Sequence, residues 1–278
     1  TISHNTLQVD DTRSSPGGRV ELFAIAPPVR VIDVSSTTAY EGLEAYRRTV
    51  TLVDISETDS YVLDVFRARG GTNHRLSYHG PAETARVEGI DLVGRSTGTF
   101  AGPDVAFATL GEERDDPHRS SGFTYLYDIA RSAGPIDTTY TVDWTCEDKR
   151  GRIVEGKEPH LRLHALTSCD EVALASGDPP QNRPNAPRRY RYLIQSRLGE
   201  DMQSQFITVL EPYDRDPIID RVRALDVEHN ADPNAVAAVA VELMNGTTDI
   251  LISCEEPTAV TVEGGITFEG RFGMVRSE

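Results

Sequence analysis

The feature that most constrains the fold of this chain is a pair of alternating segments joined by a short polar turn. Residues 47–55 alternate apolar side chains, such as Val50 and Leu52, with polar ones, and residues 61–69 return with a similar pattern. Alternation with a period of two is typical of a β-strand with one buried face. Because the connection at 56–60 is short and polar, the pattern predicts an antiparallel β-hairpin.

Short segments of the same kind recur along the rest of the chain. Further strands are predicted at residues 20–25, 105–110, 123–129, 139–146, 160–165, 171–175, 190–196, 206–211, 218–225, 235–244, 250–253, 259–262 and 265–276. The run at 234–243 follows Asp232-Pro233, a common start of a helix, but the spacing of Val239 and Val241 favours a strand. Many short strands separated by turns indicate an all-β fold, an antiparallel β-sandwich or stacked antiparallel sheets.

A proline-rich segment at 176–189 interrupts the strand pattern. Proline fixes φ and removes a backbone hydrogen-bond donor, so this segment is predicted to be an exposed loop. We therefore expect residues 1–175 to form a central β-sheet (sandwich) region and residues 190–278 to add C-terminal strands that complete the sheets.

Charge and cysteine content limit the classes of partner. The chain of 278 residues has a formal net charge of -16 and a mean hydropathy of -0.38. Nucleic acids and anionic membrane surfaces attract basic proteins, so neither is an expected partner, and no apolar run approaches the ~20 residues that span a bilayer. The three cysteines, Cys146, Cys169 and Cys254, are widely spaced and odd in number. Free thiols are expected, with a Cys146–Cys169 bridge as the alternative.

Two groups of histidines are candidates for a functional site. His4 lies in a Ser-His-Asn-Thr sequence before a strand pattern, where a lone histidine is more often structural than a ligand. His74 and His79 belong to a polar cluster just after the predicted hairpin. On a regular strand two residues five apart face opposite sides, whereas a bend would bring them together. A polar loop with satisfied histidines is the simpler expectation.

A third histidine pair lies four residues apart. On a strand, His160, Arg162 and His164 share one face, which is most simply a solvated face opposite buried leucines. Trp144 and the ten tyrosines can serve as sugar-stacking surfaces or as core residues, and the sequence leaves both open. No nucleophile elbow, phosphate-binding loop, zinc-protease motif or dinucleotide fingerprint occurs.

Several of these segments, taken in order, resemble the heparinase II/III-like polysaccharide lyases. The segments that carry the resemblance are Ser3–Asp10, Tyr46–Val50, Tyr61–Arg67, Gly70-Gly71 and His79-Gly80, with Trp144, Leu161–His164 and Gly270–Gly273 resembling the C-terminal region of that family. The resemblance spans almost the whole chain, and it rests on the order and spacing of the motifs.

The resemblance implies a fold and a reaction. Members of the family pair an N-terminal (α/α) toroid with C-terminal antiparallel β-sheets, and they cleave acidic polysaccharides by β-elimination beside a uronic acid. A base removes the proton α to the carboxylate, fixed donors or a cation neutralise the carboxylate, and an acid protonates the leaving oxygen. By this resemblance the chain corresponds to the C-terminal β region of a secreted or periplasmic lyase, and uronate-containing polysaccharide is its expected partner.

The resemblance also implies roles for individual residues. The family's Ser-His-Asn-Thr histidine joins an upstream histidine and aspartate to bind zinc, so His4 is the expected metal ligand and the zinc is structural. The upstream ligands, the toroid and the main tyrosine and histidine acid–base groups have no counterpart in this sequence. No catalytic residue is therefore assigned, the chain is expected to be inactive without the toroid, and His79 is the candidate for contacting substrate.

Two other classes of function remain open. A non-catalytic carbohydrate-binding or structural β-sandwich would bind glycan without a metal, through Trp144 or surface tyrosines. A plain assembly domain would bind neither metal nor glycan.

Overall fold

The computed structural model describes residues 2, 4–80, 82–95, 97–111, 121–148, 151–179 and 187–277, and these residues form an all-β fold built from antiparallel sheets, as predicted. The strands are β1 (Leu7–Val9), β2 (Arg19–Ala26), β3 (Val29–Ser35), β4 (Ala45–Asp54), β5 (Ser60–Arg69), β6 (Asn73–His79), β7 (Arg86–Glu88), β8 (Leu92–Arg95), β9 (Leu126–Ser132), β10 (Tyr140–Thr145), β11 (Pro159–Ala165), β12 (Glu171–Gly177), β13 (Tyr190–Leu198), β14 (Gln203–Asp214), β15 (Ile219–Ala224), β16 (Val227–Glu228), β17 (Val236–Leu243), β18 (Thr248–Val262) and β19 (Ile266–Ser277). A 3₁₀ turn at Phe123–Tyr125 precedes β9.

The strands form three sheets. A six-stranded front sheet has the order β1-β6-β13-β12-β9-β8, and an eight-stranded middle sheet has the order β2-β3-β4-β5-β14-β11-β10-β7. A five-stranded back sheet is built from β15-β17-β18-β16, with β19 also paired to β18. The chain crosses between the front and middle sheets several times, so these two sheets interlock in sequence, whereas the back sheet uses consecutive strands.

Two apolar cores lie on opposite faces of the middle sheet. Phe66 and Ala68 of β5 pack with Leu76 and Leu193 of the front sheet. Leu63 and the other side chains on the opposite face of β5 pack with the back sheet. Because successive strand residues point to opposite faces, β5 takes part in both cores and is buried along almost its whole length.

Buried polar side chains on β5 connect the three layers. Asp64, 2% exposed, accepts hydrogen bonds from Arg48 of β4 and from the Tyr78 hydroxyl of the front sheet, the latter at 2.7 Å. Arg67, 1% exposed, donates to the main-chain oxygens of Asn234 at 3.0 Å and Ser253 at 2.8 Å in the back sheet. These bonds fix the position of both outer layers relative to the middle sheet.

Arg67 forms no ion pair with a carboxylate in the part of the chain that the structure describes. Burial lowers the pKa of its guanidinium to about 10, so the side chain is still charged at neutral pH. Its donors are satisfied by neutral oxygens instead, which is the condition for tolerating a charge in the interior.

Most predicted strands are present, and the predicted 47–55/61–69 hairpin is confirmed as β4 and β5. The segment at 234–243, for which both a helix and a strand were considered, forms the strand β17, as predicted. The predicted strand at 105–110 is wrong: the main-chain bonds Val105 N to Gly102 O and Thr109 N to Ala106 O close turns there. The strands predicted at 250–253 and 259–262 are parts of the one strand β18, whose pairing with β19 is interrupted between Ser253 and Thr258.

Five strands were not predicted: β3, β6, β7, β8 and β16. The strand β3 was not predicted, although it lies between β2 and β4 in the middle sheet. The cluster predicted as a polar loop is the strand β6, which pairs with β1 on one side and β13 on the other. Its histidines and serine are residue types common in loops. However, Leu76 and Tyr78 alternate with polar residues, and both pack in the core between the front and middle sheets.

The proline-rich segment falls between the end of β12 at Gly177 and the start of β13 at Tyr190. Residues 180–186 of the predicted loop lie outside the described residues. After that segment, β13 and β14 join the front and middle sheets, and the strands from β15 onwards form the back sheet. The cysteines are free thiols, as predicted, and the alternative Cys146–Cys169 bridge is not formed. No helix among the described residues is long and apolar enough to span a membrane.

The role of Arg67 leads to a stability prediction. Replacing Arg67 with Ala leaves the buried oxygens of Asn234 and Ser253 without their donors, so the free energy of unfolding should fall by about 3 kcal/mol or more. Arg223→Ala is the matched control, because Arg223 is 37% exposed in a surface pair with Glu263, and it should change stability by less than about 1 kcal/mol. Urea denaturation measures both variants, and equal stabilities would contradict the proposed role.

Candidate functional site

The candidate site lies on the front sheet, where β6 ends. Along β6, His74, Leu76 and Tyr78 point into the protein and are buried, so the alternating residues Ser77 and His79 lie on the opposite face. The five-residue spacing of the two histidines therefore has the effect expected for a regular strand, and the bend that would bring them together does not occur.

The chain segment before β1 lies against this end of β6. The Ser77 hydroxyl donates to the main-chain oxygens of His4 and Thr6, both at 3.2 Å. The main-chain N–H of His79 donates to the Asn5 side chain at 3.0 Å. Two residues singled out from the sequence, His4 and His79, thus lie at the same edge of the sheet although 75 positions separate them.

His79 is part of an aromatic cluster with two tyrosines of β13. Its ring stacks on Tyr190 with centroids 4.9 Å apart and an interplanar angle of 14°, and it contacts Tyr192 at 4.9 Å with an angle of 55°. Register places Tyr192 directly opposite His79. Burial, followed by the neighbouring Tyr190, raises the pKa of Tyr192 to about 12, so Tyr192 is a hydrogen-bonding phenol at neutral pH and not a ready base.

The surroundings of this cluster are locally basic in an otherwise acidic protein. Arg188 and Arg189 are exposed and immediately precede Tyr190. Neither arginine side chain forms an ion pair with any residue within the described ranges, and the Arg188 main chain is held by a bond to Glu83 at 3.1 Å. Two exposed arginines that directly precede Tyr190 in the chain are suited to a sugar that carries carboxylate or sulfate.

His4 is exposed, and its contribution to this edge comes through its main-chain oxygen. No group of three histidine, cysteine, aspartate or glutamate side chains that can hold a metal ion occurs among the described residues. Zinc needs about four ligands in a structural site. The imidazole of His4 is accessible, and the described residues do not complete a zinc site around it.

His74 has a structural role. It is 0% exposed, and its ring nitrogens bond to the Ser204 hydroxyl at 2.8 Å and to the main-chain oxygen of Gly70 at 2.7 Å. Burial lowers the pKa of His74 below its ordinary value of 6.5. The side chain is therefore uncharged at neutral pH, and its bond to Gly70 holds the turn between β5 and β6.

Trp144 is a core residue. It is 0% exposed, and its indole N–H donates to the main-chain oxygen of Arg191 at 2.8 Å. A Cβ on Gly80 would lie 2.5 Å from the Trp144 ring, so the glycine allows the chain to pass close to the indole after β6. The possibility that Trp144 stacks on a sugar is thus wrong, because no face of the ring is accessible.

A second polar cluster lies on the back face of the middle sheet, where the back sheet does not cover it. The Nδ1–H of His160 in β11 donates to Asp143 at 2.7 Å, and the hydroxyl of Tyr213 donates to the same carboxylate. The His160 ring stacks on Tyr213 with centroids 4.7 Å apart. Burial, then the bond to Asp143, raises the pKa of Tyr213 well above its ordinary value.

The neighbouring pair on β11 surrounds a buried carboxylate. Glu211 is 0% exposed and accepts from Arg162 at 2.7 Å and His164 at 2.9 Å, as well as from the main-chain N–H of Ile218 and Ile219. The bonds from His164, Arg162 and Ile219 hold the pKa of Glu211 below its ordinary value despite burial.

The prediction of a solvated face on β11 is therefore wrong. The three side chains do share one face. They bond, however, to carboxylates on neighbouring strands, and periodicity along one strand cannot reveal such partners. Asp143, Glu211 and Tyr213 were missed for this reason. The available signal was the polar alternation of Thr141, Asp143 and Thr145 opposite β11.

Comparison with known proteins supports the fold. No family model matches the chain, and no curated protein matches it in sequence. Among solved structures, the heparan sulfate lyase HepC from Pedobacter heparinus matches with a TM-score of 0.52 and 12% identity over 92% of this chain and 31% of that chain. A mutant of the same lyase matches with a TM-score of 0.52 and 13% identity over the same shares. The chain thus has the fold of a region that makes up about a third of HepC.

The environment of His74 predicts how stability depends on pH. Because its folded pKa is lowered, the unfolded chain binds a proton at His74 more readily, and stability present above about pH 6.5 is lost as the pH falls through the folded value. His74→Gln should be less stable at neutral pH and should show a flatter decline between about pH 7 and pH 5. Urea denaturation at several pH values measures this, and an unchanged slope would exclude His74 as the cause.

Proposed function

We propose that this chain is the C-terminal β region of a polysaccharide lyase that cleaves uronic-acid-containing polysaccharide by β-elimination. The observation that carries this proposal is the fold shared with HepC, a heparan sulfate lyase, over 92% of the chain. The order of motifs along the sequence supports the same assignment. In the complete enzyme the chain acts together with an N-terminal (α/α) toroid, and we propose that the enzyme is secreted or periplasmic, where such substrates occur.

The contribution of this chain to the reaction is substrate binding. His79 and Tyr190 supply an aromatic surface on which a sugar ring can pack, and Arg188 and Arg189 supply charge for its acidic groups. Base and acid for the elimination come from outside this chain, so His79 is a substrate-contacting residue and no catalytic residue is assigned. The isolated chain is accordingly a binding module without turnover.

His4 is proposed to supply one imidazole to a structural zinc ion. The accessible side chain and the fixed main chain of this segment fit that role. When bound, the ion would hold the segment at the sheet edge and connect it to ligands outside this chain. The described residues of this chain do not by themselves complete the site.

The alternative is a carbohydrate-binding module that serves no lyase. The His79–Tyr190 stack and the exposed Arg188 and Arg189 favour this function as much as they favour the lyase, because both functions need a sugar-binding edge. The two proposals differ in one respect: only the lyase predicts that a longer protein containing the toroid releases unsaturated uronate.

If the chain is part of a lyase, the isolated chain should be inactive and the protein that also contains the toroid should be active. Ultraviolet absorbance of the unsaturated uronate should stay at background when the isolated chain is incubated with heparan sulfate, alginate or polygalacturonate, and should rise when the toroid-containing protein is used. Product release by the isolated chain would contradict the proposed division, and absence of product from both proteins would favour the binding module.

Glycan binding should depend on the aromatic cluster. Replacing Tyr190 with Ala removes a stacking surface worth about 0.5–1.5 kcal/mol, so the Kd for heparan sulfate tetrasaccharide should rise about two- to tenfold in calorimetry. His79→Ala should have a similar effect. Tyr125→Ala is the control, since Tyr125 is 42% exposed but lies outside the cluster. Equal Kd values for all variants would place binding elsewhere.

Zinc binding should require more than this chain. Metal analysis of the isolated chain after dialysis should give far less than one zinc per molecule, because a single imidazole binds the ion weakly. The toroid-containing protein should hold about one zinc, and His4→Ala should lower that content. An unchanged zinc content in the His4→Ala protein would remove His4 from the site.

A further inference from the structure

A cleft of about 650 Å³ opens on the back face of the middle sheet, between β7 and the chain that follows β14. Volumes of this size are typical of sites for small ligands. The cleft lies around the Asp143–His160–Tyr213 cluster, which the proposed function does not use. It is on the opposite face of the sandwich from the front sheet and therefore from His79.

The lining of the cleft is polar, unlike that of most ligand pockets. Hydroxyl groups of Thr84, Thr141 and Thr145 contribute to it, and the sheet register places Thr145 opposite His160. Charged side chains of both signs make up much of the rest. They are Arg86, Arg162, Arg215, Glu88, Asp143 and Glu158. Three positive and three negative groups give no strong preference for an anion alone, so a ligand rich in hydroxyl groups is the best match.

Most charges in the cleft are already paired within the protein. Arg86 pairs with Glu88, and Arg162 pairs with the buried Glu211 beneath the cleft floor. Arg215 differs, because its guanidinium bonds to the main-chain oxygen of Gly156 at 2.7 Å and has no carboxylate partner among the described residues. A carboxylate on the ligand can therefore pair with Arg215 without displacing an internal partner.

The floor of the cleft is pre-organised. Asp143 is fixed by the bonds from His160 and Tyr213, and His160 is 15% exposed. Its Nε2 lies 3.7 Å from a carboxylate oxygen of Glu158, which is beyond hydrogen-bond distance. Nε2 therefore makes no hydrogen bond with a described residue and can bond with a ligand hydroxyl, while Asp143 holds the ring in place. Fixed polar groups of this kind bind without a large loss of side-chain entropy.

We infer that this cleft is a second saccharide-binding site, which takes a sugar unit that carries a carboxylate, with Arg215 pairing the carboxylate and Asp143, His160 and the threonines bonding the hydroxyls. The inference rests on the proposed function only for the expectation that the natural ligand is a uronate polysaccharide. The site would hold a second length of the polymer on the face opposite His79, and two sites on one chain raise the effective affinity for a long polymer.

The test uses glucuronate as the probe and glucose as the uncharged comparison. Titration of the isolated chain, followed by NMR of the histidine side chains, should shift the His160 Nε2 signal in a saturable way with glucuronate. Glucose should bind at least about tenfold more weakly, because it lacks the charge-assisted bond to Arg215. No shift at His160, or equal binding of the two sugars, would overturn the assignment.

Two variants test the site in different ways. Arg215→Ala removes an exposed side chain and should raise the Kd for glucuronate about tenfold. Thr145→Trp fills the cleft from an exposed strand position and should abolish the His160 shift, with the thermal unfolding midpoint confirming that the variant is folded. Arg19→Ala, at the far edge of the same sheet and 79% exposed, is the matched control and should bind as the unmodified chain does.

The two sites can be tested independently, because a variant in one site should leave ligand binding at the other site unchanged. His79→Ala should leave glucuronate binding in the cleft unchanged, and Thr145→Trp should leave binding of heparan sulfate tetrasaccharide at the front sheet in place. If the cleft variants bind glucuronate normally, the second site is wrong whatever the front sheet does. A different result would contradict only the front-sheet site: normal binding of the tetrasaccharide by the His79 and Tyr190 variants, together with loss of glucuronate binding by the cleft variants. In that case the assignment of the cleft as a saccharide site would be retained.

Discussion

The structure depends on the burial of the middle sheet on both faces. A strand with two buried faces has no solvated side for polar residues, so every polar side chain on β5 needs a partner inside the protein. Asp64 finds its partners towards the front sheet and Arg67 finds them towards the back sheet. Tyr61, on the Arg67 face, bonds to Asp249 of β18 at 2.7 Å. One strand therefore sets the positions of all three layers.

Candidate functional groups occur where that burial ends. The front sheet has six strands and the middle sheet has eight, and the back sheet covers only part of the middle sheet. His79 and Tyr190 lie at one end of the front sheet, beside the His4 segment. The Asp143–His160 pair lies on the part of the middle sheet that the back sheet leaves open. Both sets of side chains stand on regular strands, which position them more rigidly than a loop would.

The sequence predicted the class of fold and most of the strands, because alternation records which face of each strand is buried. It failed where composition and pattern disagreed. The strand β6 was missed since its histidines and serine resemble a loop, and residues 105–110 were predicted as a strand although turns close there. Contacts between strands could not be predicted from the sequence pattern. Asp143 and His160 meet because of the register between β10 and β11, and register is a property of two strands and not of either alone.

The candidate site was predicted only in part. His4 and His79 were selected through the resemblance to lyases, and the structure places them at one edge. Tyr190, which stacks on His79, follows a proline-rich segment that suggested only a loop. Trp144 has an aromatic ring of the kind that stacks on sugars, but the ring is fully buried and a sugar cannot reach it. Residue type indicates what a side chain can bind, whereas accessibility decides whether it does.

The proposed role of the front-sheet edge around His79 is to bind acidic polysaccharide. A crystal structure of the chain soaked with a heparan sulfate tetrasaccharide tests it most directly. If the edge binds the glycan, a sugar ring should pack against Tyr190 and His79, with its acidic groups next to Arg188 or Arg189. Clear electron density for the tetrasaccharide elsewhere on the protein, with this edge empty, would contradict it.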